Sequence, residues 1–296
     1  MKMDPFIEAE EVAGHSVKHC CDMFEVSRAA YYQRRTGEPS ARAVSDRELT
    51  VKIAEVHAES KGTYGSPRVH AELVKRGVVC GRRRVTRLMH RAGLEGRCKK
   101  RWRKTTIADP DAQRARDLIQ RHFGPCVELD RRYVGDITYI ATWEGWAYLA
   151  TVIDLASRRV VGWALADHMR TELVADALDM AFLHRQPPAG VIFHSDRGCQ
   201  YTSTDYAELA CANHVVLSVG MAGECWDNAV AESFFATIKR ELIDTRAWPT
   251  RTGLRAAIFD YIEGWYNTRR LHSSLGYLSP AEYEANIHRH ADRQAA

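Results

Sequence analysis

Three carboxylates in the second half of the chain have the positions expected of ligands for a divalent cation. Asp136 lies inside the alternating apolar run YVGDITYI, and Asp196 follows the short apolar run VIFHS. A carboxylate inside an apolar strand is costly unless it is paired or bound to a metal ion. A carboxylate that ends a buried strand points into the crevice where α/β sheets bind their ligands. Because divalent cations favour oxygen ligands, these two acids predict a metal site that a third carboxylate must complete.

The third carboxylate is predicted on the helix written CWDNAVAESFFATIKRE, residues 225–241. At about 100° per residue, Glu232 shares one polar face of this helix with Asn228 and Lys239. The apolar residues of the helix fall on a separate arc, which predicts the side that faces the core. The geometry of the helix therefore selects Glu232, and 35 residues separate it from Asp196.

Other acids near these positions are assigned different roles. Asp227 is placed to cap the first turn of the same helix. Glu241 projects away from the polar face and is expected to be solvated. Asp154 ends a predicted strand and is expected to form a turn with Ser157.

Alternating patterns predict a mixed α/β domain around the three acids. A three-stranded meander comes first, and helices then alternate with two short strands. Strands are predicted at 133–141, 146–154, 160–166, 191–193 and 215–219, and helices at 172–183, 203–213 and 225–241. Residues 246–296 are predicted to add two helices around a loop, the second starting at Ser279-Pro280.

The first hundred residues predict helices instead. The pattern indicates two short helices within residues 14–35, a polar break at 36–46, and three helices at 47–60, 66–75 and 82–92. In the last helix, Val85, Leu88 and Met89 are expected to face the core and the arginines to face outward. A basic third helix is typical of a helix that enters a DNA groove, although a generic three-helix bundle would give the same pattern.

The charge of the chain is distributed unevenly. Residues 82–104 contain 11 lysines and arginines against one acid, whereas the rest of the chain contains 31 against 37. A segment with this charge repels itself unless a polyanion is near, so nucleic acid is the expected partner. The sequence shows no long uncharged apolar run and no secretory signal. We therefore expect a protein of the cytoplasm that is associated with nucleic acid and not with a membrane.

Eight cysteines are scattered along the chain without a Cys-x-x-Cys pair, which argues against a disulfide framework. His15, His19, Cys20 and Cys21 could suggest a zinc site. Adjacent cysteines chelate one ion poorly, however, and no second pair follows at zinc-finger spacing. Cysteines that face the core are the better interpretation.

Taken in order, the motifs resemble the OrfB-type transposases of the IS-three family of insertion sequences, whose catalytic core is shared with retroviral integrases. The resemblance covers about residues 50–285 and rests on TYGSPRVHAEL, RRRVTRLMHRAGL, VGDITYI, GWAYLATVIDLASRRVVGW, HSDRGCQYTS, GECWDNAVAESFFATIKRE and YNTRRLHSSLGYLSPAEYE. It implies an RNase H-like catalytic core built on a five-stranded mixed sheet. It also implies that Asp136, Asp196 and Glu232 form the D-D-(35)-E triad of a metal-dependent DNA transposase.

The same resemblance implies a mechanism and partners. Two Mg²⁺ or Mn²⁺ ions about 3.5–4 Å apart would be held by the triad, with Asp136 binding both ions and Asp196 and Glu232 one each. They would activate water, or later a DNA 3′-hydroxyl, and stabilise the leaving oxygen. Double-stranded DNA, both the element ends and the target, is the implied substrate. A homo-oligomer that holds two ends is implied, and an upstream OrfA-type partner or frameshift fusion is common in the family.

These observations divide the chain into five expected regions. They are a helical N-terminal segment (1–46), a basic DNA-binding region resembling a helix-turn-helix (47–104), a linker (105–125), the RNase H-like catalytic core (126–245) and a helical C-terminal region (246–296). The residues expected to contact DNA are Arg82, Arg83, Arg84, Arg87, Arg91, Lys99, Lys100, Arg101, Arg103, Asn228 and Lys239.

Two other functions are compatible with parts of the sequence. An RNase H-like nuclease without strand transfer would use the same triad and the same metal chemistry. A non-catalytic DNA-binding regulator derived from a transposase would need only the basic region. The basic region favours recognition of defined DNA ends over the first alternative, and the intact triad argues against the second.

Two remaining patterns need separate interpretation. His194-Ser195-Asp196 contains the residues of a hydrolase triad, but consecutive residues in a strand point to alternating sides and cannot form the proton relay. For the segment YNTRRLH, residues 266–272, the sequence favours two roles equally: contact with DNA, or packing around the start of the last helix.

Overall fold

The computed structural model describes residues 3–97, 128–196, 198, 200–219 and 229–295. The chain divides into two compact units, Met1–Gly96 and Arg97–Ala296. None of the described helices is long and apolar enough to span a membrane.

The described part of the first unit is helical. Buried Ile7, Cys20, Cys21 and Tyr31 form a small core between its first three helices, which confirms the core role predicted for the two cysteines. The helices are α1 (Asp4–Val12), α2 (Val17–Met23), α3 (Arg28–Arg35), α4 (Ala41–Glu59), α5 (Ser66–Lys75) and α6 (Arg82–Arg91).

Helix α4 starts earlier than the sequence predicts. Ser40 caps it, with its hydroxyl accepting a hydrogen bond from the amide of Ala43 at 3.2 Å. The predicted polar break is therefore wrong for residues 41–46, and the predicted region boundary at 46/47 lies inside this helix. The core of α4, α5 and α6 consists of Leu49, Ile53, Val56, Val69, Leu73, Val85, Leu88 and Met89.

The second unit is built on a five-stranded mixed sheet with the strand order β3-β2-β1-β4-β5. The first three strands form an antiparallel meander, and β4 and β5 run parallel to β1. The strands are β1 (Arg132–Thr142), β2 (Gly145–Asp154), β3 (Val160–Ala166), β4 (Ile192–Ser195) and β5 (Val216–Val219). The predicted α/β, RNase H-like fold class is confirmed.

Helices complete this unit: α7 (Thr171–Arg185), α8 (Thr204–Ala212), α9 (Ala229–Glu241), α10 (Arg251–Tyr261) and α11 (Pro280–Ala295). Helix α7 packs directly against β3 at Gly162. A Cβ added to this glycine would stand 2.1 Å from the carbonyl oxygen of Ala177, so only glycine fits here. Ser279 begins α11 with a reciprocal cap: its hydroxyl accepts from the Glu282 amide, and the Glu282 carboxylate accepts from the Ser279 amide. The predicted start of this helix is confirmed.

Candidate active site

Asp136 lies in the middle of the central strand. Its carboxylate accepts a hydrogen bond from the amide of Ile137 at 2.8 Å, and it is half-buried. The strand packs tightly here, since a Cβ on Gly135 would stand 2.2 Å from the ring of Phe193 on β4. Glycine therefore leaves room for the Phe193 ring against β1 beside the acid.

Asp196 is brought level with Asp136 by the parallel pairing of β1 and β4. Val134 is in register with His194, and each acid lies two residues beyond this pair. Neighbouring strands are about 4.8 Å apart, so the two carboxylates emerge side by side where β4 ends. One oxygen of Asp196 accepts a hydrogen bond from the Gly198 amide at 3.0 Å, and the side chain is exposed.

Glu232 is presented by the polar side of α9. The opposite side of the helix is buried through Ala231, Phe234, Phe235 and Ile238, as the sequence predicts. Glu232 itself is exposed, and loss of solvent around its carboxyl raises its pKa. The helix packs against β1 and β2, which brings this acid toward Asp136.

The pKa of Asp136 shows that the other two acids lie close enough to act on its carboxyl group. Burial raises the pKa of Asp136 to about 7, and the charges of Asp196 and Glu232 also raise it, whereas Lys239 lowers it. A buried carboxylate beside two further acids is costly to ionise until a cation neutralises the group. This donor set fits a hard divalent cation, although among the described residues no three Asp, Glu, His or Cys side chains already form a closed metal cluster.

Lys239 lies two turns after Glu232 on α9. Its ammonium group stands 5.2 Å from the centroid of the Tyr139 ring, and the side chain is half-buried. The other polar-face residue of the predicted helix, Asn228, and the predicted cap Asp227 lie outside the described residues. Among the described residues of α9, Lys239 therefore places a positively charged side chain near the acids.

The motif at 194–196 does not form a hydrolase relay. His194 Nδ1 lies 2.9 Å from the hydroxyl of Ser218, and the Ser195 hydroxyl donates to the backbone carbonyl of Asp196. Asp154 has the predicted turn role, because its carboxylate accepts from both the amide and the hydroxyl of Ser157 at 2.8 Å.

Comparisons with known proteins agree on one family. An integrase core domain matches residues 128–225, a second one matches 213–280, and an HTH-like domain matches 44–102. A protein of insertion element IS600 from Shigella sonnei is 38% identical, covering 92% of this chain and 99% of its own length. A putative transposase of IS986/IS6110 from Mycobacterium tuberculosis is 39% identical with the same coverage. A transposase of IS3A from Escherichia coli is 36% identical, covering 94% of this chain and 97% of its own length.

This chain belongs to the insertion-sequence transposases. The relatives are matched over nearly their whole lengths, and the integrase core domain contains both Asp136 and Asp196. The protein is therefore an enzyme of the DDE transposase type.

In this transposase the HTH-like region presents only part of its basic helix to solvent. Arg82, Arg83 and Arg91 are exposed. Arg84 and Arg87, which the sequence predicts to face outward, are half-buried and each donates to one carboxylate oxygen of Asp46 on α4 at 2.7 Å. The sequence missed this role of Asp46, because no local pattern links it to α6. Lys99, Lys100, Arg101 and Arg103 lie outside the described residues.

Most of the C-terminal segment 266–272 packs within the fold, whereas Thr268 and Arg269 are exposed. Buried Asn267 makes two hydrogen bonds with the backbone of Val160 on β3. Buried Arg270 binds the carboxylate of Glu241 at the end of α9. Glu241 was predicted to be solvated, and that prediction is wrong, since its side chain is only 4% exposed. The position of Glu241 on the helix indicated that it points away from the polar face of α9. The sequence did not indicate that the C-terminal segment covers this side of the helix.

Proposed function

We propose that Asp136, Asp196 and Glu232 hold two Mg²⁺ or Mn²⁺ ions and that this enzyme cleaves the ends of a bacterial insertion sequence and joins them to target DNA. The observation that supports this proposal best is the level position of Asp136 and Asp196 on neighbouring parallel strands, with Glu232 close enough to oppose the ionisation of Asp136. Two carboxylates side by side on neighbouring strands are suited to oxygen-binding cations.

The cations would activate the attacking oxygen and stabilise the leaving oxygen of an in-line phosphoryl displacement. The residues of the chain would hold and orient these groups. Asp136 is held rigidly, because it lies within a paired strand and accepts the Ile137 amide. Because its pKa is raised to about 7, only part of the protein carries a proton on Asp136 at neutral pH, and a bound cation would displace that proton. Lys239 would bind a phosphate of the DNA end beside the acids.

The first unit would supply binding to the DNA ends. Exposed Arg82, Arg83 and Arg91 on α6 are positioned for phosphate contacts, and the basic residues at 97–104 extend the same charge. We also propose that the regions predicted from the sequence, including the catalytic core at 126–245, act as functional units, with the first boundary moved from 46/47 to Ser40, where α4 begins. Transfer of two ends requires a homo-oligomer on DNA, and an OrfA-type partner or fusion would add to this assembly.

The test is an assay of cleavage and joining on labelled duplexes that carry the ends of the encoding element, in the presence of Mg²⁺ or Mn²⁺. Glu232→Gln and Asp136→Asn should each lose activity by at least about a thousandfold, while both still bind DNA. The matched control is Asp260→Asn, an exposed acid on α10, which should keep full activity. Full activity in Glu232→Gln would contradict the assignment.

The same assay separates strand transfer from simple hydrolysis. A transposase should yield a joined product in which the element 3′-end is linked to target DNA. A nuclease would yield only nicked ends, and the product lengths on a denaturing gel distinguish the two results. A Glu232→Gln variant that no longer bound DNA would indicate a structural role for this residue.

A further inference from the structure

Three large aromatic side chains stand exposed on the hairpin formed by β1 and β2. The exposed fractions are 60% for Tyr139, 77% for Trp143 and 51% for Trp146. Tyr139 and Trp146 pair edge to face, with ring centroids 5.3 Å apart. We call these three residues the hairpin platform. Apolar rings clustered in solvent on one element usually mark a binding surface.

The hairpin is held by the first residue of α10 and by the segment before that helix. The Arg251 guanidinium donates to the backbone carbonyls of Glu144 and Trp146, and the Arg251 amide donates to the Glu144 carboxylate. The amide of Trp143 donates to the carbonyl of Trp248 at 3.0 Å. The rings are therefore presented on an ordered backbone, which lowers the entropy cost of binding.

Lys239 links the platform to the proposed catalytic acids. Lys239 lies 5.2 Å from the Tyr139 ring, and its charge also acts on Asp136. Asp136 and Tyr139 are three residues apart in one strand, about 10 Å, and their side chains leave opposite faces.

Positive charge accompanies the exposed rings. Besides Lys239, the exposed Arg246 stacks 4.3 Å from the ring of Trp248, whose carbonyl holds the hairpin. Aromatic rings interleaved with cations match a nucleotide, because the bases stack on the rings and the phosphates bind the cations. An apolar peptide would use the rings but not the cations. Bases within a duplex already stack on each other, so the ligand must be an unpaired base.

We propose that the hairpin platform stacks on unpaired bases of the DNA next to the cleaved phosphate. The inference rests on the proposed function, since that function supplies the DNA end. The platform would favour an end whose terminal pairs have opened and would hold the freed strand away from the acids.

The experiment compares blunt end duplexes with duplexes whose last three pairs are mismatched, each labelled with 2-aminopurine in the opened strand. Wild type should bind the opened end more tightly and change the fluorescence of the label. Tyr139→Ala and Trp146→Ala should each weaken binding of the opened end by about 5- to 100-fold and leave binding of the blunt end unchanged. Trp146→Phe should recover most of the loss.

Phe259→Ala provides the matched control, because it removes an exposed aromatic ring on α10. It should leave binding of both duplexes as in wild type, and thermal melting should confirm that all variants fold. Equal binding of blunt and opened ends by wild type would overturn the proposal. A change in oligomeric state without a change in end preference would also overturn it, because the surface would then bind a second copy.

The outcome is separable from that of the proposed function. Metal-dependent cleavage of blunt ends by wild type tests the catalytic assignment without the platform. If cleavage failed while the preference for opened ends persisted, the result would contradict the catalytic proposal and support the hairpin platform. Cleavage without a preference for opened ends would contradict the platform proposal alone.

Discussion

Arg270 and Glu241 form a doubly hydrogen-bonded ion pair inside the second unit. The guanidinium Nη2 lies 2.8 Å from Oε1, Nε lies 3.0 Å from Oε2, and the side chains are only 6% and 4% exposed. The hydroxyl of Tyr261 donates to the same carboxylate at 2.9 Å. This pair fastens the end of α9, the helix that carries Glu232, to the C-terminal segment.

Breaking this pair from one side should strongly destabilise the second unit. Glu241→Gln or Arg270→Ala leaves a buried charge without its counter-charge, so we expect a loss of about 3–5 kcal/mol in the free energy of unfolding. Urea denaturation measures the loss. Replacing both residues with leucine should cost much less than either single change, because no unpaired charge remains.

The control for this prediction is Glu172→Gln, which removes an ion pair with Arg170 whose side chains are both about two-thirds exposed. A surface pair of this kind contributes at most about 1 kcal/mol. Similar losses for Glu241→Gln and Glu172→Gln would show that the buried pair does not anchor α9.

Neutralising Asp136 should stabilise the metal-free protein while abolishing catalysis. The pKa of Asp136 is raised from 3.8 to about 7, so its contribution to stability is present below about pH 4 and is lost as the pH rises through 7. Between pH 5 and 8 in EDTA, Asp136→Asn should therefore gain about 1–3 kcal/mol over wild type. Thermal melts across this range provide the measurement.

Adding Mg²⁺ should reverse the order of these two proteins. Cation binding favours the ionised triad, so it should raise the melting temperature of wild type at pH 8 and leave Asp136→Asn nearly unchanged. Parallel stability curves for both proteins, with and without the metal, would contradict the predicted site.

The arginines of α6 should divide into two groups. The pKa of Asp46 is lowered by its hydrogen bonds to Arg87 and Arg84, so its stabilising effect is present at neutral pH and lost as the pH falls below 4. Asp46→Asn and Arg87→Ala should therefore lower the melting temperature at pH 7. Arg83→Ala should keep the melting temperature but flatten the salt dependence of DNA binding, because one phosphate contact is lost.

The division is tested by measuring melting temperature and salt dependence on the same variants. Arg82→Ala serves as a second exposed variant and should behave like Arg83→Ala. An unchanged melting temperature in both Asp46→Asn and Arg87→Ala would show that the ion pairs with Asp46 are not structural.

Close packing at Gly135 should be required for the alignment of the two aspartates. Gly135→Ala would place a Cβ 2.2 Å from the Phe193 ring, so β1 or β4 must shift, at a cost of about 1–3 kcal/mol and with loss of cleavage. Adding Phe193→Leu to this variant should restore part of the stability and part of the cleavage activity, because the smaller side chain leaves space for the new Cβ. Gly264→Ala, where a Cβ meets nothing within 4 Å, is the control, and the idea fails if the two alanine variants melt alike.

Much of the catalytic unit follows from local sequence pattern. Alternation along 133–141, 146–154 and 160–166 predicted the meander within about one residue at each end, and the helical angle of Glu232 predicted its polar face. These properties depend on neighbours a few residues apart, which set strand and helix periodicity. The starts of α8 and α11 were predicted for the same reason, since a helix cap acts within one turn.

Only the tertiary structure decided which elements meet. Glu241 faces Arg270 from 29 positions away, and Asp46 meets Arg84 and Arg87 from 38 and 41 positions away. The register that sets Asp136 level with Asp196 likewise depends on the packing of β4 against β1. No period in the sequence encodes such contacts, because they arise when separate elements bury their apolar faces together. The sequence thus determined the residues able to do the chemistry, and the packing of distant segments determined their surroundings.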